Sequence, residues 1–131
     1  MKKIIVCLLI IFCNDEKEMK TYFDWNHELI DNFGIYEIND LRLSVYDDEK
    51  IVKYSLHDKE KNLLVESVSR ASVYQSWYLL LDESYNLWFY SSDIGGEVWL
   101  KSEENLYKHE YVNFFNPSIE IPEKLKTKVD G

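Results

Sequence analysis

Hydrophobic positions after residue 34 recur mostly at every second residue, the period of a half-buried β-strand. The runs are rich in β-branched and aromatic residues, and polar separators of four or five residues divide several of them. Such separators fit hairpin loops and are too short for the crossover that parallel neighbours need. The runs cover residues 35–38, 41–46, 51–56, 63–68, 74–81, 87–91 and 98–101, and the main separators are residues 47–50, 58–62, 82–86 and 93–97.

This pattern predicts a mainly β domain over residues 23–131, with an α+β arrangement as the variant. The expected architecture is a single antiparallel meander sheet, or a small sandwich or barrel, with one or two short flanking helices. Apolar residues in 23–34 at helical spacing, followed by Gly34, favour a short helix there. A second short helix is predicted to begin near Pro122, since proline suits the first helical position.

Three tryptophans, Trp77, Trp88 and Trp99, follow one another at a spacing of eleven residues. One strand plus one loop has about this length, so three successive strands are expected to carry one each. We expect the three indoles to lie close together in the core; the alternative is ordinary strand spacing with unrelated tryptophans. Because 78–81 and 88–90 are apolar without alternation, this sheet is predicted to be covered on both faces.

The chain opens with Met1-Lys2-Lys3 and the apolar run Ile4–Phe12, which ends at Cys13. Nine helical residues reach about 14 Å, too short for a bilayer core of roughly 30 Å, so the run indicates an export signal rather than a span. No Ala, Gly or Ser occurs from Ile4 to Lys20, as an ordinary cleavage site would require.

Through Ile10-Ile11-Phe12-Cys13 the opening resembles the bacterial lipoprotein signal class, although Phe12 stands where that class prefers a small residue. The resemblance covers residues 1–13 and implies lipidation of Cys13, with residues 14–22 as a flexible tether. It also implies an exported protein anchored in the bacterial cell envelope, on its periplasmic or surface side. The alternative is an uncleaved segment in which Cys7 and Cys13 are merely small apolar residues.

The formal charge is -9, from 15 basic and 24 acidic residues, and loss of Lys2 and Lys3 would bring it to -11. A field of this sign repels phosphate backbones, so nucleic acid is a poor partner. A basic protein partner, a cation, or simple solubility remain as interpretations of the charge.

Motifs for covalent or cofactor chemistry are missing from the sequence. His27, His57 and His109 are far apart, no cysteine follows Cys13, and no nucleophile elbow or glycine-rich phosphate loop occurs. We therefore expect no cofactor, no metal and no enzyme activity. Acidic residues near 82–83, 93, 97 and 103–104 leave calcium binding, or hydrolysis by two carboxylates, as remote alternatives.

The interpretation most compatible with these features is an exported, membrane-tethered acidic binding module. It would neutralise a basic partner, as inhibitor or immunity-type proteins do, through tyrosines beside acidic residues. The alternative is a structural envelope lipoprotein without a tight ligand. The candidate contact residues are Asp82, Tyr85, Asp93 and Glu97.

Overall fold

A computed structural model describes residues 19–130, which form two β-sheets and one short helix. The predicted signal segment 1–13, with Cys13, and the start of the tether lie outside the described residues. The mainly β prediction is confirmed, as a two-layer sandwich rather than a single sheet or a closed barrel. The elements are β1 (Thr21–Tyr22), β2 (Gly34–Ile38), β3 (Leu41–Asp48), β4 (Ile51–His57), β5 (Leu63–Glu66), β6 (Trp77–Leu81), β7 (Leu87–Ser91), β8 (Gly95–Lys101), β9 (Tyr107–Val112) and α1 (Glu123–Asp130).

The first sheet has the strand order β1-β2-β3-β4-β5 and follows the period-two pattern closely. Buried and half-buried residues alternate along β2 and β4, so one face packs inward and the other faces solvent. The inward row across the middle of this sheet joins Tyr36 to Leu43, Leu43 to Leu56 and Leu56 to Val65.

The first strand, β1, lies inside the predicted tether. Thr21 and Tyr22 form β1, which pairs in parallel with Ile35 and Tyr36 of β2. The ring of Tyr22 stacks on that of Tyr36 at 4.7 Å, which holds the short strand against the sheet. Residues 21–22 therefore belong to the β domain, a correction of the boundary expected at residue 23.

The second sheet is a meander, β6-β7-β8-β9, with antiparallel pairing throughout. Its inner face packs on the first sheet around Leu79, Leu87 and Phe89. Its outer face is also buried, around Leu80, Trp88 and Val98. The expectation of a sheet covered on both faces is thus met, which explains why β6 and β7 lack alternation.

The C-terminal segment supplies the outer cover. Phe114, Ile121 and Leu125 pack on the outer face, and Leu125, within α1, is fully buried there. Proline directly precedes α1, because Pro122 stands before Glu123, which fits the predicted second helix. Within residues 19–130, no helix has the length and apolar character needed to cross a membrane.

The predicted helix over 23–34 is wrong. Its backbone is used by the sheets instead: Trp25 N–H donates to Glu37 C=O, and Ile30 exchanges two 2.8 Å hydrogen bonds with Leu79 of β6. Asp24 and His27 adopt positive φ angles of 54° and 53°, which an α-helix excludes. The apolar spacing reflects an irregular segment that packs along the edge of β6.

The three tryptophans stand on three successive strands as predicted, but they do not cluster. Each hairpin register pairs odd-numbered with odd-numbered residues, as in Trp77 with Ser91 and Leu87 with Trp99. Paired residues share a face, so a spacing of eleven moves each tryptophan to the opposite face. Trp77 and Trp99 therefore face the first sheet and Trp88 faces the C-terminal segment.

The β7–β8 turn also differs from its expected position. The predicted separator was 93–97, whereas β8 already begins at Gly95, which adopts a φ of +93° that favours glycine. Gly96 is needed for space: a Cβ there would lie 2.1 Å from the ring of Phe114. The shorter turn moves Glu97 from a loop into a buried strand position.

Candidate functional site

Four hairpin loops, two from each sheet, converge at one end of the sandwich. We call this surface the loop end and define it by residues 39–40, 58–62, 82–86 and 102–106. A cleft of about 330 Å³ opens there, and residues of all four connections or their flanking strands line it. Its lining includes Asp40, Asp58, Glu60, Tyr85 and Asn105.

Two loops of the loop end have the same internal structure. Asp58 and Asp82 each begin a five-residue loop that closes on an asparagine, Asn62 or Asn86. In each loop one aspartate oxygen accepts two backbone N–H groups, both at 2.9 Å. The fourth loop residue has a positive φ, 68° at Lys61 and 66° at Tyr85. These bonds fix the loop shape before any partner arrives.

The second oxygen of Asp82 ties its loop to the sheet. The indole Nε1–H of Trp88 donates to Asp82 Oδ2 at 2.9 Å. All the strong contacts of this carboxylate are thus internal to the hairpin. Asp82, predicted as a contact residue, therefore organises the loop, and the neighbouring Glu83 is the exposed acid.

Tyr85 links the two sheets at the loop end. Its hydroxyl accepts a hydrogen bond from Asn39 Nδ2 of the β2–β3 turn, and its carbonyl accepts the hydroxyl proton of Tyr107 at 2.9 Å. The ring meets that of His27 edge to face at 5.3 Å. Burial, then the charge of Asp82, raises the pKa of Tyr107 to about 12. The Tyr107 hydroxyl therefore stays protonated at neutral pH. The half-buried Tyr85 forms part of the cleft wall.

Charge distinguishes the loop end from the other end of the sandwich. Its four loops carry seven acidic and two basic residues, a formal charge of -5. The other end, which we call the opposite end, consists of residues 49–50, 72–76 and 92–94 and carries two acidic residues and one basic residue. The loop end is therefore the more acidic of the two ends of the sandwich.

Asp93 lies at the opposite end, away from Asp82 and Tyr85. Its Oδ2 accepts the backbone N–H of Ser72 at 3.0 Å, which connects the β7–β8 turn to the segment leading out of the first sheet. Gln75 and Ser92 add a second side-chain bond there. The five residues of β7 separate Asp93 from Asp82 by roughly 17 Å. The two acids do not form the carboxylate pair that a glycosidase-like mechanism requires.

Glu97 lies between the sheets, with only 1% of its surface exposed. Three donors surround its carboxylate: the Tyr54 hydroxyl at 2.6 Å, the Ser69 hydroxyl at 3.1 Å and His109 Nε2 at 2.8 Å. Trp99 Nε1–H in turn donates to the Tyr54 hydroxyl at 3.0 Å. Glu97, the fourth candidate contact residue, is inaccessible to a partner, a correction of its expected place in a turn.

The segment that follows β5 brings Ser69 into this buried cluster. Ser67 N–H donates to Tyr54 C=O, and Val52 N–H donates to Ala71 C=O. The chain after β5 therefore continues beside β4, and it has more residues between these two contacts than β4 has. Buried and exposed residues alternate along this segment, so Ser69 points inward while Val68 and Arg70 are exposed. Among the described residues, no buried side-chain nitrogen or oxygen lacks a partner.

The buried cluster has the residue types of a catalytic triad but not its arrangement. A triad needs the histidine in contact with the nucleophilic hydroxyl. Here Ser69 and Tyr54 bind Oε2 of Glu97 whereas His109 binds Oε1, so the carboxylate stands between them. Burial, then the charge of Glu97, raises the pKa of Tyr54 well above its ordinary 10.0, so its hydroxyl stays protonated. The arrangement joins the sheets and fixes their alignment.

Across residues 19–130, no group of three or more His, Cys, Asp or Glu side chains is placed to hold a metal ion.

Sequence reasoning missed the contribution of Asn39, Asp40 and the 58–62 loop to the loop end. The usable signal was the repeated aspartate and asparagine at positions one and five of two separators.

No protein-family model, curated protein or solved structure matches the chain.

Proposed function

We propose that this protein is a non-catalytic binding module that neutralises a basic protein partner through the loop end. The observation that carries the proposal is the charge of -5 gathered on the four loops of that end. Acidic groups on one surface accelerate encounter with a basic partner and fix its orientation. The exposed acids that would contact the partner are Glu83, Glu103 and Glu104, beside Tyr85 of the cleft wall.

Preorganised loops support this assignment. Asp58 and Asp82 hold their loops by internal hydrogen bonds, so little conformational entropy is lost on binding. Burial, and a neighbouring acid, keep Tyr107 protonated as the donor that positions Tyr85. The loop end thus combines an ordered backbone, an aromatic wall and excess negative charge, which together suit recognition of lysine- and arginine-rich surfaces.

The test compares two variants of equal charge. One replaces Glu83, Glu103 and Glu104 by lysine, and the matched control replaces Asp48, Glu49 and Glu66, which are exposed elsewhere. Binding of a hexalysine peptide is followed by nuclear magnetic resonance at low salt, and envelope-extract capture is compared across the same proteins. We expect loop-end resonances of the wild type and the control to shift, and the loop-end variant to lose the effect.

Equal loss of binding in both variants would mean that the interaction depends only on net charge. Absence of a shift in all three proteins would contradict the proposal. Capture of no stoichiometric partner by any protein, in low salt, would favour the structural envelope lipoprotein instead. Raising the salt to about 0.5 M should weaken the wild-type interaction, since screening shortens the Debye length below 5 Å.

We further propose that the module is exported and held at a membrane of the bacterial envelope by lipid on Cys13. The support is the apolar run Ile4–Phe12 ending at a cysteine, without a small-residue cleavage site. Intact-mass measurement of the membrane-extracted protein tests this directly. The expected mass corresponds to cleavage before Cys13 plus acyl chains, and a soluble full-length chain with Met1-Lys2-Lys3 retained would exclude it.

A further inference from the structure

The outer edge of β9 is an open strand edge in the described part of the chain. β9 closes the second sheet and pairs with β8 alone. Its six residues make it longer than the other edge strands: β1 has two, β5 has four, and the five of β6 are contacted by Ile30. An unpaired edge of this length offers backbone donors and acceptors to another strand.

Hydrogen-bond alternation shows which residues of β9 face outward. Ser102 N–H bonds to Leu106 C=O at 2.8 Å, which makes them a hydrogen-bonded pair next to the strand. Pairs alternate along an antiparallel ladder, so Lys108, Glu110 and Val112 bond to β8. The backbone groups of Tyr107, His109 and Tyr111 then point away from the sheet.

The sequence of this edge is complementary to itself. We propose that β9 pairs antiparallel with β9 of a second copy of this chain, with a two-fold axis at His109. In that register Lys108 lies opposite Glu110 of the second copy, and the reverse pair forms on the other side of the axis. Tyr107 lies opposite Tyr111 of the second copy, so Tyr111, now 76% exposed, gains an aromatic neighbour.

Neighbouring registers are disfavoured by charge. Only odd-numbered residues can form hydrogen-bonded pairs across the new edge, so the register changes in steps of two. A shift of two residues in one direction places Lys108 opposite Lys108 of the second copy. A shift in the other direction places Glu110 opposite Glu110 of the second copy. Like charges directly opposite are unfavourable, so the two-fold register at His109 is selected. The second sheets of the two copies then form one continuous eight-stranded sheet, four strands from each.

The charged pair is available for this exchange. Lys108 Nζ and Glu110 Oε2 lie 3.8 Å apart within one chain, with 80% and 40% of their side chains exposed. They therefore lie on one face of β9 and can pair across copies with little rearrangement. A six-residue edge is small compared with the roughly 800 Å² per partner that a standard interface buries, so we expect a weak and reversible dimer.

Charge-swap variants test the register. Sedimentation velocity of the full chain, in a mild detergent, is measured from about 10 μM to 1 mM. The wild type should dimerise, and Lys108→Glu or Glu110→Lys alone should weaken dimerisation about tenfold, because each places like charges opposite one another. An equimolar mixture of the two single variants, and the double variant Lys108→Glu/Glu110→Lys, should both regain the wild-type affinity.

The control is Lys59→Glu, which makes the same charge change at an exposed position outside β9. It should dimerise like the wild type, and circular dichroism should show all the variants folded alike. A monomeric wild type at 1 mM, or single variants that dimerise as well as the wild type, would overturn the proposal. Failure of the mixture to regain affinity would do the same.

Discussion

The buried cluster around Glu97 and the loop end use the same residue type in opposite ways. Glu97 is surrounded by donors from both sheets and holds the layers in register. The carboxylates of the loop end either shape their own loops, as Asp58 and Asp82 do, or extend into solvent. Acidity in a sequence therefore divides into carboxylates that build the fold and carboxylates that remain free to bind.

The largest expected effect comes from removing the buried carboxylate. Glu97→Ala leaves Tyr54, Ser69 and His109 without their common acceptor, so the free energy of unfolding should fall by about 3 kcal/mol. Urea unfolding followed by fluorescence measures the change. Glu97→Gln is the control, since it keeps an acceptor oxygen and should lose less. A loss below about 0.5 kcal/mol in Glu97→Ala would show that the cluster does not hold the sheets together.

A smaller effect is expected from the loop-organising acids. Asp82→Ala removes the acceptor of two backbone N–H groups and of the Trp88 indole, and should destabilise the protein by about 1–2 kcal/mol. Asp58→Ala is the matched comparison, because its loop has the same backbone bonds without an indole donor. The difference between the two variants in urea unfolding measures the indole bond. Equal losses would mean that the Trp88 contact contributes nothing.

The free acids of the loop end should matter little for stability. Replacing Glu83, Glu103 and Glu104 together by lysine is expected to leave the free energy of unfolding within about 0.5 kcal/mol of the wild type. Relief of like-charge repulsion can even raise it slightly. The same urea experiment checks this result. A loss comparable to that of Asp82→Ala would place these residues among the structural acids and remove them as contact candidates.

The finest distinction concerns the titration of Asp58. Backbone and side-chain hydrogen bonds from Asn62 hold the pKa of Asp58 below its ordinary 3.8. A carboxylate with a lowered pKa stabilises the folded loop at pH values above its pKa in the unfolded chain. That contribution disappears as the pH falls through its pKa in the folded chain. Carboxyl chemical shifts across pH 2 to 6 should show this, with Asn62→Ala moving the pKa upward. Asn62→Ala keeps the backbone N–H and removes only the side-chain bond, so an unchanged pKa in that variant would contradict the side-chain contribution.

Sequence reasoning reached the β class and most strand positions because alternation and hairpin loops are local signals. It failed where tertiary contacts override the local pattern. Residues 23–34 have helical spacing, but Ile30 pairs with Leu79 at the edge of a sheet instead. The tryptophan spacing was a correct strand signal and a misleading packing signal, since an odd spacing reverses the face. Of the four candidate residues, Asp82 and Tyr85 lie together at the loop end, whereas Asp93 and Glu97 do not. Asp93 lies at the opposite end because successive turns of a meander alternate between the two ends of the sheet. Glu97 is buried because β8 begins at Gly95, earlier than the predicted strand at 98–101.

The direction of β1 has a consequence for how the protein would be displayed. Thr21 aligns with Ile35 and Tyr22 with Tyr36, so this strand enters the sandwich from the Gly34 side and advances toward the loop end. With an acyl chain on Cys13, attachment lies upstream of that entry point. Under the proposed lipid anchor, the chain would thus enter the domain at the end away from the acidic loops, which leaves those loops free to meet an arriving protein.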